Sequence, residues 1–170
     1  DVETKEQALK ALVAARKGAE LDPRNGAAQS NLGNVYMDLQ RYQEALGCFR
    51  KAMEFQPSFA TSYFNYGNAL RLLHVLDKAH ESYDKALELE PERGEFHHNK
   101  GLVYQEQGLH AEALQKFRLA HELAPDHLGL QFSLGRSLWN NGFYEESWDH
   151  FDAGLDRDLR VKVGASDLVQ

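Results

Sequence analysis

All four prolines of this 170-residue chain, Pro23, Pro57, Pro91 and Pro125, stand 34 residues apart. A period that strict marks an array of repeated units, so the unit constrains the fold before any single residue does. Other columns keep the same beat. One is glycine: Gly33, Gly67, Gly101 and Gly135. One is small: Ala45, Ala79, Ala113 and Ser147. One bears rings: Phe49, Tyr83, Phe117 and Phe151. The last is small again: Ala52, Ala86, Ala120 and Gly154.

Within a unit the apolar residues fall at helical spacing twice. From Gly26, one stripe runs through Leu32, Val35, Tyr36 and Leu39. After a turn at Gln40–Arg41, a second runs through Ala45, Leu46, Phe49, Ala52 and Met53. Pro57 ends the second helix, because the residue before a proline is pushed out of the α region. The small columns let two helix backbones approach closely. The expectation is that glycine faces alanine across the pair, and that the aromatic column fills the space between successive pairs.

The stretch PRNGAAQSNLGNVYMDLQRYQEALGCFRKAMEFQP resembles the tetratricopeptide repeat (TPR) family, through Leu32–Gly33, Tyr36, Ala45, Phe49, Ala52 and Pro57. The resemblance extends over nearly the whole chain. It implies an all-α fold, an α-solenoid in which helix–turn–helix repeats wind into a right-handed superhelix. It implies a binding scaffold and specifies no ligand.

The repeats are expected at 26–59, 60–93, 94–127 and 128–161, with helices near 61–73, 76–89, 95–107 and 110–123. Residues 1–25 form a partial repeat, with the second helix alone at Glu3–Leu21. The chain opens at Asp1 without an initiator methionine, as a fragment or processed product would. The last repeat is irregular: Ser147, Gly154 and Leu159 replace two alanines and a proline, as suits a unit that ends a stack. Residues 162–170 read as a capping helix or a tail. In the second unit the turn is apolar, Leu72-Leu73-His74-Val75-Leu76, where later units have Gly108 and Gly142. Part of this run is expected to pack inside its helix pair rather than to touch a partner.

Composition narrows the function. Net charge is −7, with 26 acidic and 19 basic residues and no basic cluster, so neither nucleic acid nor an anionic membrane is the expected partner. No apolar run approaches the ~18 residues of a membrane helix. No signal-peptide pattern is present, and a cytoplasmic setting is expected. The single cysteine, Cys48, excludes an internal disulfide and reads as a small buried residue. No phosphate-binding glycine loop, H-E-x-x-H or paired-cysteine motif occurs. His97 and His98 are neighbours on a helix and point apart, so they do not make a metal site. No acid/base pair stands out, and no cofactor, metal or catalytic residue is expected.

The resemblance places first helices along a concave groove. Stepping by 34 gives Asn31, Asn65, Asn99 and Ser133. Parallel rows are Asn34, Asn68, Leu102 and Arg136; Ser30, Phe64, His98 and Phe132; and Met37, Arg71, Gln105 and Trp139. An amide offers donors and an acceptor, which match the two polar groups of a peptide bond. The asparagine row is similar to the ladder of the O-GlcNAc transferase TPR region; asparagine is also habitual at this place in the family. A carboxylate clamp, by which some members hold acidic C-termini, fits poorly. Asn34 and Asn65 match, but Ser30, Glu95 and Asn99 stand where cations are needed. The groove candidates are therefore Asn31, Asn34, Phe64, Asn65, Asn68, Arg71, His98, Asn99, Arg136 and Trp139.

Three functions remain open. The first is a non-catalytic module holding a protein or peptide segment. The second is a scaffold that self-associates weakly through its repeat ends. The third is the repeat region of a larger enzyme, since residues 141–155 resemble the last repeat of bacterial TPR proteins joined to glycosyltransferase-like domains.

Overall fold

The computed structural model describes residues 2–151, with side chains from Glu6 onward. Every regular element among them is a helix, and no strand occurs there. In order these are α1 (Val2–Leu21), α2 (Gly26–Asp38), α3 (Tyr42–Phe55), α4 (Ala60–Leu72), α5 (Leu76–Leu89), α6 (Gly94–Glu106), α7 (His110–Leu123), α8 (Leu128–Asn140) and α9 (Tyr144–Phe151). Helices α5 and α7 match the expected spans; α4 and α6 begin and end one residue earlier than expected. Gly154, Leu159, the end of the last repeat and the proposed cap at 162–170 lie outside the described residues.

The described chain divides into two compact units, one ending at Glu92 and the other beginning at Arg93. In the first, each helix packs on its successor from α1 to α5, and α2 also touches α4. In the second, α6 packs on α7, α7 on α8 and α8 on α9. The core is built locally. Leu12 and Ala19 of α1 cluster with Leu32 and Cys48, while Ala113, Leu114 and Phe117 of α7 cluster with Leu134 and Leu138 of α8.

The glycine column corrects one expectation. Glycine faces the ring of its own helix pair, not the alanine. A Cβ at Gly33 would lie 2.5 Å from Cε1 of Phe49, one at Gly67 would lie 2.7 Å from Cε1 of Tyr83, and one at Gly101 would lie 2.8 Å from Cε1 of Phe117. Each glycine is thus a notch into which the aromatic of the same repeat seats. Phe49, Tyr83 and Phe117 are accordingly almost fully buried.

The turn between paired helices repeats as well. Gln40, His74, Gly108 and Gly142 all have positive φ, at 57°, 57°, 77° and 84°. At each, the residue that follows donates its backbone N–H back to a carbonyl five residues earlier: Arg41 to Tyr36, Val75 to Leu70, Leu109 to Tyr104 and Phe143 to Leu138. This left-handed corner satisfies carbonyls that the end of a helix leaves open. In the apolar turn, Leu73 and Leu76 are half-buried, whereas Leu72, His74 and Val75 are exposed. The run therefore divides between the helix pair and the surface.

Two helix starts are capped by side chains. Asn25 Oδ1 accepts from the Ala28 N–H at 3.1 Å, and His127 Nδ1 accepts from the Leu130 N–H at 3.3 Å. Such caps satisfy donors that lack an intrahelical acceptor. Cys48 is buried, and burial pushes its thiol above the ordinary value, as expected of a packing residue rather than a nucleophile.

Candidate functional site

The first helices of the repeats carry the candidate binding residues, and each unit presents its own set. In the first unit α2 supplies Asn31 and Asn34, both exposed, and α4 supplies Phe64, Asn65, Asn68 and Arg71, all half-buried. The contact between α2 and α4 brings two of these amides together. Asn65 Nδ2 donates to Asn34 Oδ1 at 2.8 Å. These are also the two residues that occupy clamp-like places. Their bond uses one of four amide N–H groups and one lone pair, leaving donors and acceptors of both signs on one small polar patch.

Beside that patch lies a second pair. The Tyr83 hydroxyl donates to Asn68 Oδ1 at 2.7 Å, and the Phe64 ring sits 5.9 Å from the Tyr83 ring. Asn68 is thereby oriented from beneath by a fully buried residue of α5. The sequence carries a signal for this bond: Tyr83 bears the one hydroxyl in its ring column, and Asn68 faces the same turn fifteen residues earlier. In the third repeat the equivalent pair is Leu102 and Phe117, and neither can make such a bond.

In the second unit, α6 supplies His98 and Asn99, and α8 supplies Arg136 and Trp139. His98 Nε2 shares a hydrogen bond with Ser133 Oγ at 2.9 Å, which ties α6 to α8. The His98 ring lies 5.3 Å from that of Phe117. Asn99 donates to the Glu95 carbonyl of its own helix at 3.0 Å. Arg136 is exposed. Trp139 meets α9 edge-on, 4.9 Å from the Tyr144 ring and 5.9 Å from Trp148.

The row of Asn31, Asn65 and Asn99 is therefore not uniform. Asn65 turns to Asn34 of the neighbouring row, Asn99 turns to its own backbone, and Asn31 is exposed. Ser133 and Tyr83, which spacing placed in the rows and columns but not among the groove candidates, are the partners that the structure adds.

The nearby charges pair locally. Arg41 donates to Glu44 and also lies 4.9 Å from the centre of the Tyr36 ring. The Arg41 guanidinium holds the Glu44 carboxyl below its ordinary range. Among the described residues no group of three or more ligating side chains could hold a metal, and no helix is long and apolar enough to cross a membrane.

Two tetratricopeptide repeat profiles match the chain, one over residues 24–92 and the other over residues 67–127. No curated protein matches it in sequence. Among solved structures, MamA is similar with a TM-score of 0.75 and 22% identity, over 95% of this chain and 94% of that one. PilF of Pseudomonas aeruginosa is similar with a TM-score of 0.78 and 24% identity, over 88% of this chain and 68% of that one. YrrB, described as a TPR protein with an unusual peptide-binding site, has a TM-score of 0.66 and 23% identity, over 96% of this chain and 86% of that one.

Proposed function

The chain belongs to the tetratricopeptide repeat family, whose arrays serve in general as protein–protein interaction modules, and from that premise we propose that it holds an extended peptide segment on the exposed faces of its first helices. The observation that carries this reading is the Asn34–Asn65 pair. The bond between the two side chains fixes both amides before any ligand arrives. Their remaining N–H groups and the Asn65 carbonyl can then meet a peptide C=O and N–H with little further ordering. Phe64 supplies apolar contact beside them, and Asn31 and Arg71 extend the polar face. In the second unit, His98, Asn99, Arg136 and Trp139 form a separate face of mixed character. The role proposed for both faces is binding.

A peptide-library screen followed by fluorescence anisotropy tests this reading. For the best library peptide, Asn34→Ala/Asn65→Ala should weaken binding about tenfold, the equivalent of one or two net hydrogen bonds. Equal affinity for wild type and the double variant would reject the amide patch as the site.

A second reading rests on a different observation. Trp148 stands one period after Leu114, which is 7% exposed and clusters with Leu134 and Leu138 of the following helix. Trp148 itself is 60% exposed, and on α1 Leu9 and Val13 are 59% and 68% exposed. Apolar surface of this kind favours weak association between copies through their repeat ends. Sedimentation over a wide concentration range should show a rising average mass; a constant monomer mass would dismiss the scaffold role.

A further inference from the structure

Helices α7 and α9 meet through two rungs of ionisable side chains. The first is a bidentate pair in which Arg118 Nη1 and Nη2 donate to Glu146 Oε1 and Oε2, the second of these at 2.8 Å. The second rung lies one turn further along each helix, where the His121 and His150 rings meet edge to face with centroids 5.0 Å apart. Nδ1 of each ring is shut off from solvent and makes no hydrogen bond.

That arrangement suits neutral imidazoles. A neutral ring can leave one nitrogen as an unused acceptor at modest cost. A protonated ring carries an N–H on both nitrogens, so at each Nδ1 a charged donor would be buried without an acceptor. Two protonated rings at this separation would also repel one another. The surrounding charges divide. From α7, Arg118 adds to the repulsion and Glu122 stands a residue away from His121. On α9 itself, Glu146 and Asp149 oppose it, but Glu146 is already held by Arg118. Helix α8, which packs on α9, contributes Arg136 as its one charged residue, and that side chain is exposed.

We propose that the His121–His150 contact is an acid-sensitive latch, by which protonation of His150 against its buried neighbour releases α9 from α7. Burial first, and the neighbouring His121 second, hold His150 below its ordinary value. A histidine whose folded value is depressed contributes stability that is fully present above the unfolded value. That stability is lost as pH falls below the unfolded value toward the folded one. The release therefore begins below pH 6.5, the ordinary histidine value.

The test follows the ring protons of His150 and the exchange of the α9 backbone amides by NMR between about pH 7.5 and about pH 5.5. After correction for intrinsic exchange, the α9 amides should lose protection several-fold more than those of α6 on acidification. His121→Phe/His150→Phe keeps two rings in contact and removes the protons, so in that variant the loss should disappear. The wild-type titration decides the matter even if the double variant does not fold. A His150 midpoint at or above 6.5 would overturn the latch, as would α9 protection that falls equally in wild type and variant.

Discussion

Gln40 and His74 occupy the left-handed corner that Gly108 and Gly142 fill in later repeats. An L side chain in that region crowds its own carbonyl, and glycine avoids the clash. Replacing His74 by glycine should therefore stabilise the first unit by about 1 kcal/mol, read from the shift in urea midpoint. No stabilisation would mean that the imidazole makes a compensating contact. The Tyr83 hydroxyl gives a second prediction. Tyr83→Phe leaves Asn68 Oδ1 without its donor and should cost about 0.5–1.5 kcal/mol. Thermal denaturation that leaves the variant as stable as wild type would show that water replaces the bond. At this scale the sequence was only partly legible. The 34-residue columns located Gly67 and Tyr83 but misassigned what the glycine faces. A period records which positions recur, whereas the ring's direction depends on how two helices cross. The amide row was legible as positions but not as bonds: Asn65 and Asn99 sit at equivalent places, yet each bonds whatever acceptor is within reach.

Between α7 and α9, side chains outside the repeating columns set the local contacts. Arg118 and Glu146 join α7 to α9, and the guanidinium keeps the Glu146 carboxyl below its ordinary range. A depressed carboxyl stabilises the fold above its unfolded value, and that contribution fades as pH falls through the folded value. Both side chains are about 40% exposed, so solvent screening keeps the contribution small. Glu146→Gln should cost less than about 1 kcal/mol at neutral pH, and the difference from wild type should shrink in high salt and at low pH. A difference indifferent to salt would assign the effect to packing. The helices themselves were legible almost to the residue, because apolar spacing and proline stops both act locally. The two charged and histidine rungs were not, since no column marks which residue of one second helix will lie opposite which residue of the next.

For the molecule as a whole, stability in a repeat array is carried by neighbouring elements rather than by one central core. Gly67→Leu pushes a side chain against the Tyr83 ring and should cost about 1–3 kcal/mol. Hydrogen exchange should rise first in α4 and α5 and least in α7 and α8, so that the damage stays near its source. Uniform acceleration along the chain would show that it opens as a single unit. The glycine notch also has a bearing on how such a chain can be edited. Both halves of the Gly33–Phe49 lock lie between Gly26 and Phe59. A boundary drawn after each proline leaves every lock whole, whereas one drawn at a left-handed corner divides it. The span Gly26–Phe59 thus holds both halves of one lock, so a copy of it moved elsewhere would carry that fastening with it.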